Sequence, residues 1–266
     1  MSIVGRRLSS CRFSVLVTKF FEKKAFSTQN SVTINHPKLF FPVSFAFSGC
    51  GWLLPFHLGV IHQMVESRIL NGETLCAGSS GGAIAATIAV CGISAKQALE
   101  VIVEVSQNPS FRSDLDFSIK RILSESILTE EMLSKCNEYL YICLTRVWPN
   151  PSPNPVIISK YESISHLSNI ISASCFIPLY SKSRSLTTKV HSVDGSFVDG
   201  GIVCFIPPIG DVKVAPIASE KRKWREKPHI YLDPQRYPET TLLRWALQPP
   251  PENVSFVIIN IKLLYC

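Results

Sequence analysis

Five small residues, Gly78-Ser79-Ser80-Gly81-Gly82, separate two stretches of different character. Before them, "ETLCA" (Glu73–Ala77) is a short strand-forming run. After them, "AIAATIAV" (Ala83–Val90) starts a helix directly. A chain that leaves a strand and enters a helix within one residue passes through a strained backbone conformation, and flanking glycines remove the side chains that would clash there. G-x-S-x-G in this setting is the pattern of a nucleophile elbow with Ser80 at its tip. The helix that follows places partial positive charge beside that serine. A serine hydroxyl remains a poor nucleophile until a neighbouring base takes its proton, so the chain has to supply one elsewhere.

The segments around the elbow have the same α/β character. "PVSFAF" (Pro42–Phe47) is a buried-strand run, and Leu54, Leu58, Ile61 and Val65 recur at helical spacing before the Asn71-Gly72 stop. Residues 43–90 therefore predict strand, loop, helix, strand, turn, helix, and strands joined by helical crossovers lie parallel. Ser94 caps a helix reaching Gln107, Thr129 with Glu130 and Glu131 opens another, and Tyr139–Val147 is strand-like. A loop follows at Asn150–Pro155, then a strand in "VIISKY", a helix over "SISHLSNIISASC" that stops before Pro178, and strands in "VKVAPI" and "PHIYL". "VDGSFVDGG" (Val193–Gly201) is turn-rich, with Asp194-Gly195 as a turn. The apolar tail "VSFVIINIKLLYC" is either a last strand or the remnant of a truncated chain. The predicted class is a three-layer α/β/α domain with a mainly parallel central sheet.

The formal net charge of +7 hints at nucleic acid or an anionic surface, but its distribution weakens that hint. Residues 1–29 hold six basic side chains against one acid, Glu22, and the remainder of the chain is only +2. The basic run Glu220–Lys227 contains two acids and reads as a solvated loop that can touch anionic headgroups. No nucleic-acid partner is expected. Residues 1–30, rich in Arg and Ser, have the profile of a transit peptide or a disordered leader. That profile points to the mitochondrion, with a chloroplast or a cytosolic, lipid-associated location as alternatives. Charged residues make up 18% of the chain, below the roughly 25% of soluble domains, which suits an apolar pocket or a lipid-facing surface. The nine cysteines are scattered without a C-x-x-C pair and read as reduced core residues, and no apolar run reaches the length of a membrane span.

Two further glycine motifs bracket the elbow. "SGCGW" (Ser48–Trp52) also joins a strand to a helix, and its glycines would let backbone N–H groups point at a developing alkoxide. "FVDGG" (Phe197–Gly201) offers a base. Asp199 is weak in water, but an apolar surround of Phe197, Val198, Ile202 and Val203 would raise its pKa. Among the six histidines, His57 and His62 read as helix-surface residues. Ser80, Asp199 and His229 satisfy the chain order of an α/β-hydrolase triad, yet only two strands precede the elbow and an HGGG-type motif is absent.

These three motifs, in this order and spacing, resemble the patatin-like phospholipase family over about Val43 to Pro216. "FSGCGWLLPFHLGV" is similar to the oxyanion segment of its animal triacylglycerol-lipase branch, and "SASCFIPLY" and "VDGGIVCFIP" look like later family blocks. Trp52, Leu53 and Leu54 stand where many members carry a basic residue. The resemblance implies a Ser80–Asp199 dyad without histidine, flanked by the turn glycines Gly78, Gly82, Gly200 and Gly201. It also implies an oxyanion hole from Gly49, Cys50 and Gly51, with Gly81. The implied activity is lipid acyl-ester hydrolysis through an acyl-enzyme, on phospholipid, galactolipid or acylglycerol, with no metal or organic cofactor. Residues 40–216 would form the acyl hydrolase domain and 217–266 a C-terminal extension. A membrane or lipid-droplet surface would be the partner, touched by the helix faces around Trp52 and Phe56. A Ser-Asp-His hydrolase or acyltransferase using His229, and a non-catalytic lipid-binding scaffold, are the alternatives.

Overall fold

The sheet grows outward from two short strands that are buried throughout, β1 (Phe45–Phe47) and β2 (Cys76–Ser79). They run parallel, with Phe45 opposite Cys76 and Phe47 opposite Gly78. Strands covered on both faces need no polar alternation, which is why FAF and CAGS show none. The structure, a computed structural model, describes residues 43–108, 119, 121–122, 128–150, 152–180, 185–218, 227–232, 235, 237–250 and 264–265. The expected transit segment at 1–30, the basic run at 220–226 and, apart from Leu264 and Tyr265, the apolar tail at 254–266 lie outside these. Leu264–Tyr265 form a two-residue strand.

β7 (Val212–Val214) pairs parallel with β1, and β8 (Ile230–Tyr231) parallel with β7. On the other side β3 (Leu140–Trp148) runs parallel to β2. Beyond it the sheet turns antiparallel: β4 (Asn154–Ile158) and β6 (Val193–Val198) both pair with β3, and β5 (Thr188–Val190) pairs with β6. The resulting order is β5-β6-β3-β2-β1-β7-β8, with β4 branching from β3.

The pairing registers fix one consequence. β4 covers Ile142 to Arg146 on one edge of β3, overlapping the partners of both β2 (Leu140 to Cys143) and β6 (Thr145 to Trp148). A strand has two edges, so β2 and β6 share the other one, end to end, with only Leu144 between their partners. The C-terminal end of β2 therefore faces the C-terminal end of β6.

The helices flank this sheet: α1 (Leu54–Glu66), α2 (Gly81–Cys91), α3 (Ala95–Gln107), α4 (Glu130–Tyr139), α5 (Ile164–Ser174) and α6 (Glu239–Leu247). Every residue of α2 is buried, as expected of a helix apolar all round. Ser94 Oγ caps α3, and Thr129 Oγ1 caps α4 by accepting the Met132 N–H at 3.3 Å. β8 and α6, from the segment after residue 216, join the same unit, with β8 on β7 and α6 against the Gly51–Leu53 turn. The seven described cysteines are buried and form no disulfide with one another. No helix among the described residues is long and apolar enough to cross a membrane.

Three local expectations need correction. Val193–Val198 is a strand and not a turn; the turn comes earlier, at Ser192, and Gly195 sits in β6 opposite a register shift of β3. Gly195 takes φ +120 where a side chain would meet the Trp148 carbonyl, so Asp-Gly marks a bulge. Val65 is 46% exposed, because Met64 occupies the buried stripe of α1 instead. β4 begins inside the expected loop, at Asn154.

A Cβ on Gly82 would collide with the carbonyl oxygens of Phe47 and Ser48. Gly82→Ala is expected to cost about 3 kcal/mol or more, or to prevent folding, as read by urea unfolding.

Candidate active site

Ser80 joins β2 to α2 at φ 55, ψ −131, a region that non-glycine residues occupy only when their surroundings impose it. The surroundings here are backbone. A Cβ on Gly78 would enter the Gly82 backbone, and one on Gly81 would lie 2.5 Å from Cys50 Sγ. These glycines let the elbow close directly onto the loop after β1.

The end-to-end arrangement of β2 and β6 then brings Asp199 to Ser80 across 119 residues. Ser80 Oγ donates to Asp199 Oδ2 at 2.5 Å. Asp199 Oδ1 accepts the Gly201 N–H at 2.7 Å, and the Asp199 N–H donates to the Phe176 carbonyl at 2.7 Å. Gly200 fits against the Cys143 carbonyl, where no Cβ has room. Both partners are buried, with 7% exposure for Ser80 and 5% for Asp199. Burial pushes the Asp199 carboxyl up from 3.8 to about 6, while hydrogen bonds from Ser80 and Gly201 hold it back.

The Gly49–Cys50–Gly51 loop lies against the elbow; a Cβ on Gly49 would sit 3.5 Å from Ser80 Cβ. Gly49 requires correction as an oxyanion donor, because its N–H donates to the Phe205 carbonyl at 2.9 Å. Among the described residues, the N–H groups of Cys50, Gly51 and Gly81 donate to no partner. Gly51 takes φ +50, with the Ala246 carbonyl where a side chain would begin. His57 also differs from expectation. It is fully buried, and its Nε2 is 3.0 Å from the Ser48 carbonyl, which it can reach only as a donor. Burial lowers its pKa to about 4. His229 stands at the β7–β8 pairing, its Nδ1 accepting the Lys213 N–H at 2.9 Å, and it is no partner of Asp199.

A cleft opens beside Ser80. Leu54, Ile84, Ile102, Ile119, Ile122 and Ile177 give it an aliphatic lining, with Tyr180 and Ala246 at its side. Trp52 Nε1 donates to Tyr180 Oη at 3.0 Å, and Tyr180 Oη donates to the Leu247 carbonyl. This chain ties the glycine loop to α6. Trp52 and Phe56 are 9% and 1% exposed, so the helix faces around them are interior and not a docking surface. Leu179 (76% exposed) and Leu247 (52%) adjoin the cleft residues Tyr180 and Ala246 in the chain, and Ile202 (58%) and Val203 (41%) follow Asp199. Burial raises the Cys50 and Cys175 thiols, with the Asp199 charge adding to it, so both stay protonated beside Ser80.

Sequence reasoning missed Ser174, whose Oγ accepts the Ser80 N–H at 2.9 Å, together with Cys175, Tyr180 and Ala246. Nothing local in "SASC" distinguishes Ser174 from any serine at a helix end; only the tertiary closure gives it a partner.

A fold with a parallel core and a buried serine–carboxylate pair at a strand–helix elbow defines an elbow-type serine site, with no histidine bonded to the serine among the described residues. The family model for patatin-like phospholipase matches residues 45–209, and the chain belongs to that family. It is 30% identical over 166 residues to the human (Homo sapiens) omega-hydroxyceramide transacylase, covering 59% of this chain and 31% of that one. It is 32% identical over 167 residues to the mouse (Mus musculus) patatin-like phospholipase domain-containing protein 2, covering 58% and 33%. The chain thus spans about a third of the length of these relatives. Among solved structures, VipD from Legionella pneumophila aligns with TM-score 0.47 and 14% identity over 76% of this chain and 57% of that one.

The raised Asp199 pKa has a stability consequence. A carboxyl whose pKa is higher folded than unfolded binds more protons when folded, so stability falls as pH rises from 3.8 through about 6. The whole penalty is present above 6. Asp199→Asn is expected to raise thermal stability over wild type at pH 8 by on the order of 1–3 kcal/mol, and the difference should shrink towards pH 4. Melting curves across that range check it.

Proposed function

We propose that the chain is a lipid acyl hydrolase with Ser80 as nucleophile and Asp199 as its base. The observation that carries the reading is the 2.5 Å hydrogen bond from the Ser80 hydroxyl to a buried carboxylate, at the mouth of an aliphatic cleft. The ester's acyl chain lies in the cleft, and Ser80 Oγ attacks the carbonyl carbon as Asp199 Oδ2 takes the hydroxyl proton. The carbonyl oxygen becomes an oxyanion facing the N–H groups of Cys50, Gly51 and Gly81, beside the α2 N-terminus. Collapse breaks the ester bond, and Asp199 returns the proton to the departing alcohol. Asp199 then deprotonates a water that attacks the acyl-enzyme carbonyl; the acyl–Oγ bond breaks, Asp199 passes the proton to Ser80 Oγ, and the fatty acid leaves. An alcohol in place of that water would give acyl transfer, the chemistry named for the transacylase relative.

A buried aspartate with its pKa at about 6 suits a proton acceptor near neutrality better than an unperturbed one. No histidine is needed at the serine, because Asp199 contacts Ser80 Oγ itself. The substrate would be drawn from a membrane or lipid-droplet surface. Leu179, Ile202, Val203 and Leu247 supply the apolar contact, since each neighbours a residue of the cleft or of the Asp199 turn.

Product analysis on mixed lipid vesicles tests the reading. Ser80→Ala and Asp199→Ala are expected to lower fatty-acid release by about 10⁴-fold, and His229→Ala to leave it within about threefold of wild type. Equal release by wild type and Ser80→Ala would refute it. Activity should climb as pH rises through about 6, where Asp199 ionises, and then level off. Replacing Leu179 and Leu247 by glutamate should weaken vesicle binding while leaving hydrolysis of a soluble short-chain ester intact.

A further inference from the structure

Ser174 ends α5 with its side chain fully enclosed. Its hydroxyl donates to the Cys143 carbonyl of β3 at 2.7 Å, which commits its only proton. What remains is an acceptor lone pair, and the Ser80 backbone N–H donates to it at 2.9 Å. At the N-cap of α2 that N–H has no carbonyl within its own helix to meet. Ser174 is the group that satisfies it, at the one residue held at a strained positive φ between β2 and α2.

The next two residues lie beside the same pair. Cys175 lines the cleft together with Ser80, and the Phe176 carbonyl accepts the Asp199 N–H at 2.7 Å. Ser174 and Phe176, two residues apart at the end of α5, thus hold Ser80 and Asp199, which are far apart in the chain and follow different strands.

We propose that Ser174 is a positioning residue for the acyl-transfer step. By binding the Ser80 N–H it fixes the rotation of the elbow that aims Oγ at Asp199, and it withdraws that N–H from the oxyanion. This rests on the serine-nucleophile reading above. Without the hydroxyl, the Ser80 N–H and the Cys143 carbonyl are both left unpaired in a buried site, and the elbow relaxes towards other partners. A shift of about 1 Å at a reacting atom is worth on the order of a hundredfold in rate.

The test measures kcat and KM on a lipid ester, the rate of fluorophosphonate labelling at Ser80, and the melting temperature, using the full chain. Variants are Ser80→Ala, Ser174→Ala, Ser174→Cys and Thr87→Ala. Thr87 is a control for loss of a buried hydroxyl: it donates to the Ala83 carbonyl at 2.8 Å and bonds to neither Ser80 nor Asp199. Ser174→Ala is expected to lower kcat and the labelling rate in parallel, by roughly 10- to 100-fold, with KM within about twofold. Thr87→Ala should lose a similar melting temperature at wild-type kcat. Ser174→Cys, which fills the same space with a weak acceptor, should show the same defect. A folded Ser174→Ala with wild-type kcat and labelling overturns the proposal, as does a Thr87→Ala that loses as much kcat. If Ser174→Ala fails to fold, a folded Ser174→Cys at wild-type rates overturns it. Undiminished activity of Ser80→Ala would instead remove the nucleophile reading itself.

Discussion

The site depends on the way β2 and β6 abut along one edge of β3. β2 arrives parallel to β3 and β6 antiparallel, so their C-terminal ends meet with Leu144 alone between their partners. The residue after each strand is then forced into contact: Ser80 after β2, Asp199 after β6. β4 occupies the opposite edge across the same residues and closes that edge to them. A one-residue slip of β6 would turn its side chains to the wrong face and carry the carboxylate away from the serine.

Close backbone approach holds this junction. Gly78, Gly82 and Gly200 each sit where a Cβ would strike a main-chain carbonyl or its carbon neighbours. The elbow strain is offset by buried hydrogen bonds, from Ser80 to Ser174 and Asp199 and from Asp199 to Phe176. Burial also sets the charge behaviour. The thiols of Cys50 and Cys175 are held protonated, His57 is held neutral as a donor to the loop, and Asp199 titrates close to neutrality. Among the groups facing the cleft, the Ser80 hydroxyl is therefore the one hydrogen-bonded to a carboxylate that can take its proton.

Much of this was legible in the chain because it follows local rules. The small residues around Ser80 announce a sharp strand-to-helix turn, and Ser94 and Thr129 announce helix starts that the structure contains. Local rules misled where tertiary pairing overrides them. Asp194-Gly195 has turn composition, yet β3 recruits it into a strand and uses the glycine for a bulge. Trp52 and Phe56 have the look of a lipid-facing helix start, yet the Tyr180–Leu247 chain and the core enclose them. Gly49 resembles its loop neighbours in sequence, but the carbonyl of Phe205 takes its N–H.

By itself the sequence determined the kind of turn at Ser80, the α/β alternation that makes the central strands parallel, and the family. Those are properties of short windows and of motif order, where steric rules and hydrophobic periodicity act within a few residues. Only the tertiary structure decided which N–H groups remain unpartnered at the loop, that Ser174 rather than water or a ligand binds the Ser80 N–H, and that Asp199 is dry enough to titrate near 6. Each of these depends on distance and dielectric between segments far apart in the chain, and no local pattern encodes either quantity.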